Sequence, residues 1–218
     1  MDIEAINKKI RFIERIHVDF ALDEKNIPND PFELFLIWFN QVLHSTLYDP
    51  TAMVVATVTE ENLPDTRMVL LKELLWNQFI FYTNYQSKKA LELEKYPVAA
   101  INFYWSNMVR QVRIRGSVTK LSHEKNEDYF KTRPRNAQLS ATASHQSHII
   151  PSREALEKVI KNLKQKFSNH EIPCPTYWGG YAIEAFEYEF FQGREWRTHD
   201  RILYTLENEV WKSVRLSP

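Results

Sequence analysis

The sequence predicts a β-rich α+β protein: an antiparallel barrel of short strands carrying peripheral helices. Two observations lead there. Short β-branched and aromatic runs recur from Ala52 to Val214, joined by hairpin-length links, and helical periodicity is confined to segments inserted between them. Neither a βαβ rhythm nor a Gly-rich dinucleotide loop is present, which sets aside a doubly wound nucleotide fold.

The elements follow in chain order. Residues 3–18 have amphipathic helical spacing, and Asp19 to Asn29 read as a mobile connection. A helix starts at Asp30, an N-cap acceptor followed by Pro31 and by Glu33 three residues after the cap. Its core face is Phe32, Phe35, Trp38, Phe39, Val42 and Leu43. The period then changes to strands at 52–58, 67–72 and 78–83. A helix from Ser87 to Lys95, with Ser87 as cap, precedes strands at 98–105 and 109–121. Ser122 caps a helix to about Arg133, and helical pattern resumes at Asn136 and over 152–167. Strands return at 181–192, 201–206 and 210–214.

Composition bounds the function classes. The chain has 218 residues, 44% hydrophobic and 13% aromatic, enough for the core of one sizeable domain. Net charge is zero, so no global field draws the chain to nucleic acid or anionic membrane. The charge is unevenly placed: residues 1–62 hold 5 Lys/Arg against 11 Asp/Glu, whereas 63–135 hold 13 against 7. A locally basic middle third fits a small anionic ligand better than a polyanion. Cys174 is alone, which excludes a disulfide framework. The histidines lack metal-ligand spacing, so no metal is expected. No apolar run approaches the roughly 20 residues that span a bilayer, and the N-terminus lacks signal-peptide layout. The expectation is a cytoplasmic protein.

Four stretches could carry chemistry, each with a plainer alternative. If Arg197-Thr198-His199-Asp200-Arg201 is extended, Arg197, His199 and Arg201 share one face, either as an anion site or as a solvated strand. In Tyr82-Thr83-Asn84-Tyr85-Gln86-Ser87-Lys88-Lys89, a strand runs into a helix N-terminus bearing two lysines that oppose the dipole. A docked anion would remove that conflict; a solvated surface helix is the alternative. Arg67 and Lys72 flank an apolar strand, and Gln111, Arg113 and Arg115 share a strand face that could simply be a wet one. Tyr129 and Arg133, four apart, could grip one phosphate.

Jointly, the chain resembles the flavin-dependent pyridoxine/pyridoxamine 5′-phosphate oxidases from about Asp30 to Pro218. The resemblance rests on Asp49-Pro50-Thr51-Ala52-Met53, Arg67 to Lys72, Phe81 to Asn84, Ser87-Lys88-Lys89, Arg110-Gln111-Val112, Tyr129 to Arg135, His145-Gln146-Ser147, Trp178-Gly179-Gly180, Arg197 to Arg201 and Arg215 to Pro218. It implies an antiparallel split β-barrel with peripheral helices: a mobile segment over 1–29, then a single FMN-binding domain over 30–218. It also implies a homodimer with FMN at the subunit interface, and phosphorylated B6 vitamers and O2 as substrates.

Carried over by position, Arg67, Lys72, Tyr82, Thr83, Lys88, Lys89, Gln111, Gln146, Ser147, Phe191 and Arg201 would hold FMN. Lys72, Tyr129, Arg133 and the position of Ala137 would take the substrate phosphate, with Arg15 on the N-terminal segment. Arg197 and His199 would cover the substrate ring as catalytic residues. The family commonly has Arg at position 88, Ser at 137 and Trp at 191, and Arg and Tyr where this chain has Glu14 and His17. The implied activity is oxidation of pyridoxine and pyridoxamine 5′-phosphates to pyridoxal 5′-phosphate with release of H2O2. Rival readings are a related barrel oxidase of the phenazine-pathway type, acting on another ring compound, and a flavin or pyridoxal-phosphate carrier without turnover. A nucleic-acid role for Arg110 to Arg115 stands third.

Overall fold

A computed structural model describes Ile10 and residues 20–218. Apart from Ile10, the expected helix at 3–18, with Glu14, Arg15 and His17, lies outside the described residues. The chain forms a curled antiparallel half-barrel with helices around it, and it divides into two compact units. Among the described residues, the first comprises Ile10, 20–50, Tyr104–Val112 and Glu189–Pro218; the second comprises Thr51–Phe103 and Arg113–Tyr188.

In the first unit, helix α1 (Pro31–Leu43) begins where Asp30 Oδ1 accepts the Phe32 N–H at 2.8 Å. It buries Phe32, Leu34, Phe35, Trp38, Phe39 and Val42. Leu43, expected inward, is half exposed because it is the last helical residue; Leu34, one turn before Trp38, takes an inward place. Phe35 stacks on Phe39 and leans on Trp105, and Trp38 meets Phe190 edge-on at 5.3 Å. The Arg110 guanidinium is buried between the Phe20 and Trp38 rings, 4.8 and 4.4 Å from their centroids. It donates to Gln192 Oε1 at 2.8 Å and to Gln41, and burial pushes its pKa down to about 10.

Strands β8 (Asp200–Glu207) and β9 (Val210–Arg215) form a hairpin. Its two turn residues, Asn208 and Glu209, both have positive φ (49° and 64°), the backbone that matches strand twist in a two-residue turn. Arg215 closes this unit. It pairs with Glu24, with Asp200 Oδ1 at 2.7 Å and with the Leu22 carbonyl at 2.9 Å. Leu22 is buried and donates its N–H to Asp200 Oδ2.

One expectation fails here. The stretch Arg197 to Arg201 is not one extended strand. Glu195–Arg197 is a 3-10 turn with Trp196 and Arg197 at φ 55° and 60°, and β8 begins only at Asp200. Thr198 fixes the turn by donating both its N–H and its hydroxyl to the Glu195 carbonyl. Alternation therefore does not place Arg197, His199 and Arg201 on one face.

The second unit holds β1 (Ala52–Val58), β2 (Pro64–Leu70), β3 (Glu73–Leu75), β4 (Gln78–Asn84), and most of β5 (Val98–Trp105), β6 (Arg110–Lys120) and β7 (Trp178–Gln192). Strand order is β2-β1-β5-β6-β7-β4-β3, so β2 is an edge. Phe79, Phe81, Ile101, Phe103, Ile183 and Tyr188 fill the inner face. Helices α2 (Lys88–Lys95), α3 (His123–Thr132), α4 (Arg135–Ala143) and α5 (Arg153–Lys166) lie between strands in sequence. Ser122 and Ser152 cap α3 and α5 through their hydroxyls. A smaller cluster of Phe130, Leu139, Ile172 and Trp178 anchors α3 and α4.

Gly179 and Gly180 sit opposite Thr83 and Tyr82 in the β4–β7 ladder. A Cβ on Gly179 would lie 2.2 Å from Tyr85 Oη, and one on Gly180 2.9 Å from the Tyr82 ring. Only glycine lets those aromatics come that close.

Candidate active site

The chemistry-bearing residues of the second unit converge on a cavity of about 500 Å³. Of the residues expected to bind ligand, Arg67, Lys72, Tyr82, Thr83, Lys88, Lys89, Tyr129, Arg133, Gln146 and Ser147 line it. Asp65, Thr66, Met68, Val69, Leu70 and Trp178 complete the lining. Five cations therefore face one carboxylate, and the volume falls within the range of small-molecule sites.

Local structure explains each placement. On β2 the residues alternate between half-buried and exposed, which puts Asp65, Arg67 and Val69 on one face. The apolar residues divide between the faces: Met68 and Leu70 are 60% and 38% exposed on the opposite face of β2, whereas Leu71, just beyond the strand, is buried. Arg67 is held by Asp65 at 2.9 Å, by Glu92 at 3.1 Å and by the Thr57 hydroxyl, which donates in turn to Glu92. Lys88 pairs with Asp65 at 2.9 Å, and that hydrogen bond raises its pKa.

Lys89 is buried, and its Nζ donates to Thr83 Oγ1 at 3.1 Å and to Ser87 Oγ at 3.3 Å. Burial, with repulsion from Arg67, pushes its pKa down to about 8. Ser87 precedes α2 as expected, but its side chain caps nothing. Instead Ser147, at φ 71°, accepts the Lys88 N–H at 3.2 Å, so the 145–148 loop supplies the cap. Gln146 Oε1 accepts from Thr83 Oγ1 and the Asn84 N–H, pinning that loop to the end of β4.

The opposite wall is aromatic. Tyr82 stacks on Tyr129 at 3.9 Å and on Trp178 at 5.2 Å, all three rings nearly parallel. Burial raises the pKa of both tyrosines, so they stay neutral donors. Arg133, the first residue beyond α3, lays its guanidinium 4.5 Å over Trp178. Its Nη1 is buried without a hydrogen-bond partner, and burial lowers its pKa. An unsatisfied, partly desolvated cation at the edge of a cationic cavity is a site for an anion.

The remaining expected residues lie elsewhere. Ala137 is on α4, half-buried, and is not among the lining residues. Gln111, Phe191, Arg197, His199 and Arg201 belong to the first unit. There the Phe191 and His199 rings sit 4.8 Å apart. His199 Nδ1 accepts the Arg194 N–H at 3.1 Å, which leaves the neutral ring's proton on Nε2. Arg201 is engaged by Glu189 at 2.7 Å and by the Ser217 carbonyl.

Sequence reasoning missed Asp65, Glu92 and Trp178 as site residues. Asp65 had a signal, since it stands two before Arg67 on a strand; Glu92 had another, four after Lys88 on a helix.

A split barrel with an aromatic wall and a multi-cation cavity defines a class, the oxidoreductases of the split-barrel flavoprotein type. Residues 39–167 match the family described as pyridoxamine 5′-phosphate oxidase, and residues 178–218 match the pyridoxine 5′-phosphate oxidase C-terminal dimerisation region. The chain belongs to the pyridoxamine 5′-phosphate oxidase family.

A pyridoxine/pyridoxamine 5′-phosphate oxidase of Legionella pneumophila (strain Paris) is 47% identical over 206 residues, covering 94% of this chain and 96% of the relative. One from Rubrobacter xylanophilus is 42% identical over 215 residues, covering 99% of each. Among solved structures, PhzG from Burkholderia lata 383, in complex with tetrahydrophenazine-1-carboxylic acid, superposes with a TM-score of 0.87 at 27% identity. That match covers 92% of this chain and 99% of the other. No helix among the described residues is long and apolar enough to cross a membrane.

Proposed function

We propose that the protein is an FMN-dependent oxidase that converts pyridoxine 5′-phosphate and pyridoxamine 5′-phosphate to pyridoxal 5′-phosphate, with O2 as acceptor and H2O2 as product. The observation that carries this reading is the single cavity gathering ten of the residues that the family resemblance assigns to cofactor and substrate. Flavin and vitamer each bring a phosphate, and the lining divides accordingly. Arg67, Lys88 and Lys89, with Thr83 and Ser147, form one cationic group at the start of α2. Lys72, Tyr129 and the unsatisfied Arg133 form the other.

Bound FMN would supply the redox chemistry, taking a hydride from the C4′ carbon and passing electrons to O2. The protein's part is to orient the vitamer and exclude competing reactions. In the homodimer, Gln111, Phe191, Arg197, His199 and Arg201 come to the cavity from the partner copy. The match of 178–218 to a dimerisation region and the exposed Met68 and Leu70 support this arrangement. His199 Nε2–H and the Arg197 guanidinium would then face the substrate as donors that orient its C4′ oxygen or nitrogen, whose proton passes to water as the hydride leaves. For the amine, water hydrolyses the resulting imine to the aldehyde and ammonia.

Anaerobic addition of pyridoxamine 5′-phosphate should bleach the yellow protein, with pyridoxal 5′-phosphate formed in equal amount. A protein that stays yellow and binds the vitamer without turnover would be a carrier. The likeness to PhzG favours a second reading, oxidation of an unphosphorylated tricyclic acid. Bleaching by such an acid and not by the vitamer would establish it.

A further inference from the structure

Two carboxylates stand among the cations at the start of α2, and they are not equivalent. Glu92 is buried, bonded to Thr57 and Arg67, with its second oxygen 4.0 Å from Lys88 Nζ. It is a fixed counter-ion. Asp65 is different: its side chain is 30% exposed, on the edge strand, lining the cavity itself. One of its oxygens, Oδ2, lies 2.9 Å from Arg67 Nη2 and also 2.9 Å from Lys88 Nζ. The other accepts the neighbouring Thr66 N–H at 2.8 Å.

We infer that Asp65 is a built-in stand-in for the flavin phosphate: its Oδ2 fills the place between Arg67 and Lys88 that a phosphate oxygen takes, and FMN binds by displacing it. The inference rests on the flavin reading of this cavity. An incoming dianion cannot share that place with a carboxylate oxygen, because like charges at contact distance repel strongly in a partly desolvated site. Side-chain rotation suffices for the exchange, since the Asp65 side chain is 30% and that of Lys88 63% exposed.

The consequence falls on affinity. A flavin without a phosphate leaves Asp65 in place, whereas a phosphate dianion must first displace it before forming its own stronger bonds to both cations. The same device keeps Arg67 and Lys88 from repelling each other in the empty protein. It lowers absolute FMN affinity, and with it the margin by which FMN outbinds riboflavin.

The test is Asp65→Asn, with Asp65→Ser as a second variant should the first fold poorly by circular dichroism. FMN-depleted protein is titrated with FMN and with riboflavin, following flavin fluorescence, and separately with inorganic phosphate, following the thermal midpoint. The expected result is FMN binding about tenfold tighter than in the parent, and riboflavin binding unchanged. Stabilisation by inorganic phosphate should also be reached at lower concentration. The gain should shrink between about 50 and 500 mM salt, as screening demands. Unchanged or weaker FMN and phosphate binding would overturn the inference and make Asp65 a clamp that positions Arg67. Should neither protein bind FMN, the flavin reading falls, and the phosphate titration still decides what Asp65 does.

Discussion

Replacing Arg133 by Met removes a charge while keeping a long apolar stem over Trp178. In the parent, Nη1 is buried with no partner, and the guanidinium lies 4.5 Å over that ring. An unsatisfied buried donor costs about 1–3 kcal/mol, and a partly desolvated cation–π contact returns about 0.5–2 kcal/mol. The two nearly cancel, so Arg133→Met should leave unfolding stability within about 1 kcal/mol of the parent. Substrate binding should not be spared: a hydrogen bond from a charged group to a phosphate contributes about 1.5–3 kcal/mol, which is roughly 10- to 150-fold in affinity. Urea unfolding measures the first quantity, and KM for pyridoxine 5′-phosphate with kcat from the same series measures the second. KM should rise with kcat little changed, since a grip remote from the reacting carbon acts equally on ground and transition states. A variant destabilised by more than about 2 kcal/mol with unchanged KM would refute the assignment and make Arg133 a structural residue.

Three further outcomes follow from the geometry. Lys89 has a pKa of about 8 in the free protein, and a bound phosphate raises it. FMN affinity should therefore be level below pH 8 and fall as pH rises above it, by up to about tenfold per unit, as seen by fluorescence titration across pH 7–10. The same depressed pKa means that Lys89 makes the FMN-free fold gain stability over that window, because the unfolded chain binds the proton more tightly there. Arg197→Met should slow anaerobic flavin reduction while FMN content after purification stays stoichiometric; apoprotein that turns over normally in excess FMN would show the reverse role. Ala137 does not line the cavity, so Ala137→Ser should leave KM for the vitamer unchanged, with the phosphate left to Lys72, Tyr129 and Arg133; vitamer binding about tenfold tighter would show that position 137 reaches the phosphate.

The cavity was legible because its residues occupy places that local rules mark. Arg67 and Lys72 flank one strand, Thr83 ends another, and Lys88 and Lys89 stand where the helix dipole disfavours cations. The barrel was legible from strand-period segments joined by short links. What local rules cannot see is tertiary exchange of partners. Ser87 has the sequence of a cap, yet Ser147, sixty residues on, takes the role, and the Ser87 hydroxyl turns to Lys89. The stretch around Arg197 reads as extended because nothing in its composition announces two consecutive residues of positive φ. Which face of β2 stays uncovered, the one carrying Met68 and Leu70, depends on what packs against the sheet and not on the strand's own composition.

The arginine three residues from the C-terminus has a reach that sequence distance hides. Arg215 grips Glu24 and the Leu22 carbonyl, and the adjacent Leu216 and Ser217 bond back to Arg201. The last residues are therefore a fastening and not a tail. Trimming four of them would unclasp the segment at 22–24 and loosen Arg201 in the same stroke. Burial pattern along the chain gives no warning of this, since Val214 and Arg215 look like surface residues at a frayed end. An affinity tag or fusion joined directly after Pro218 abuts this clasp, so protein engineering at that end acts on two regions nearly two hundred residues apart.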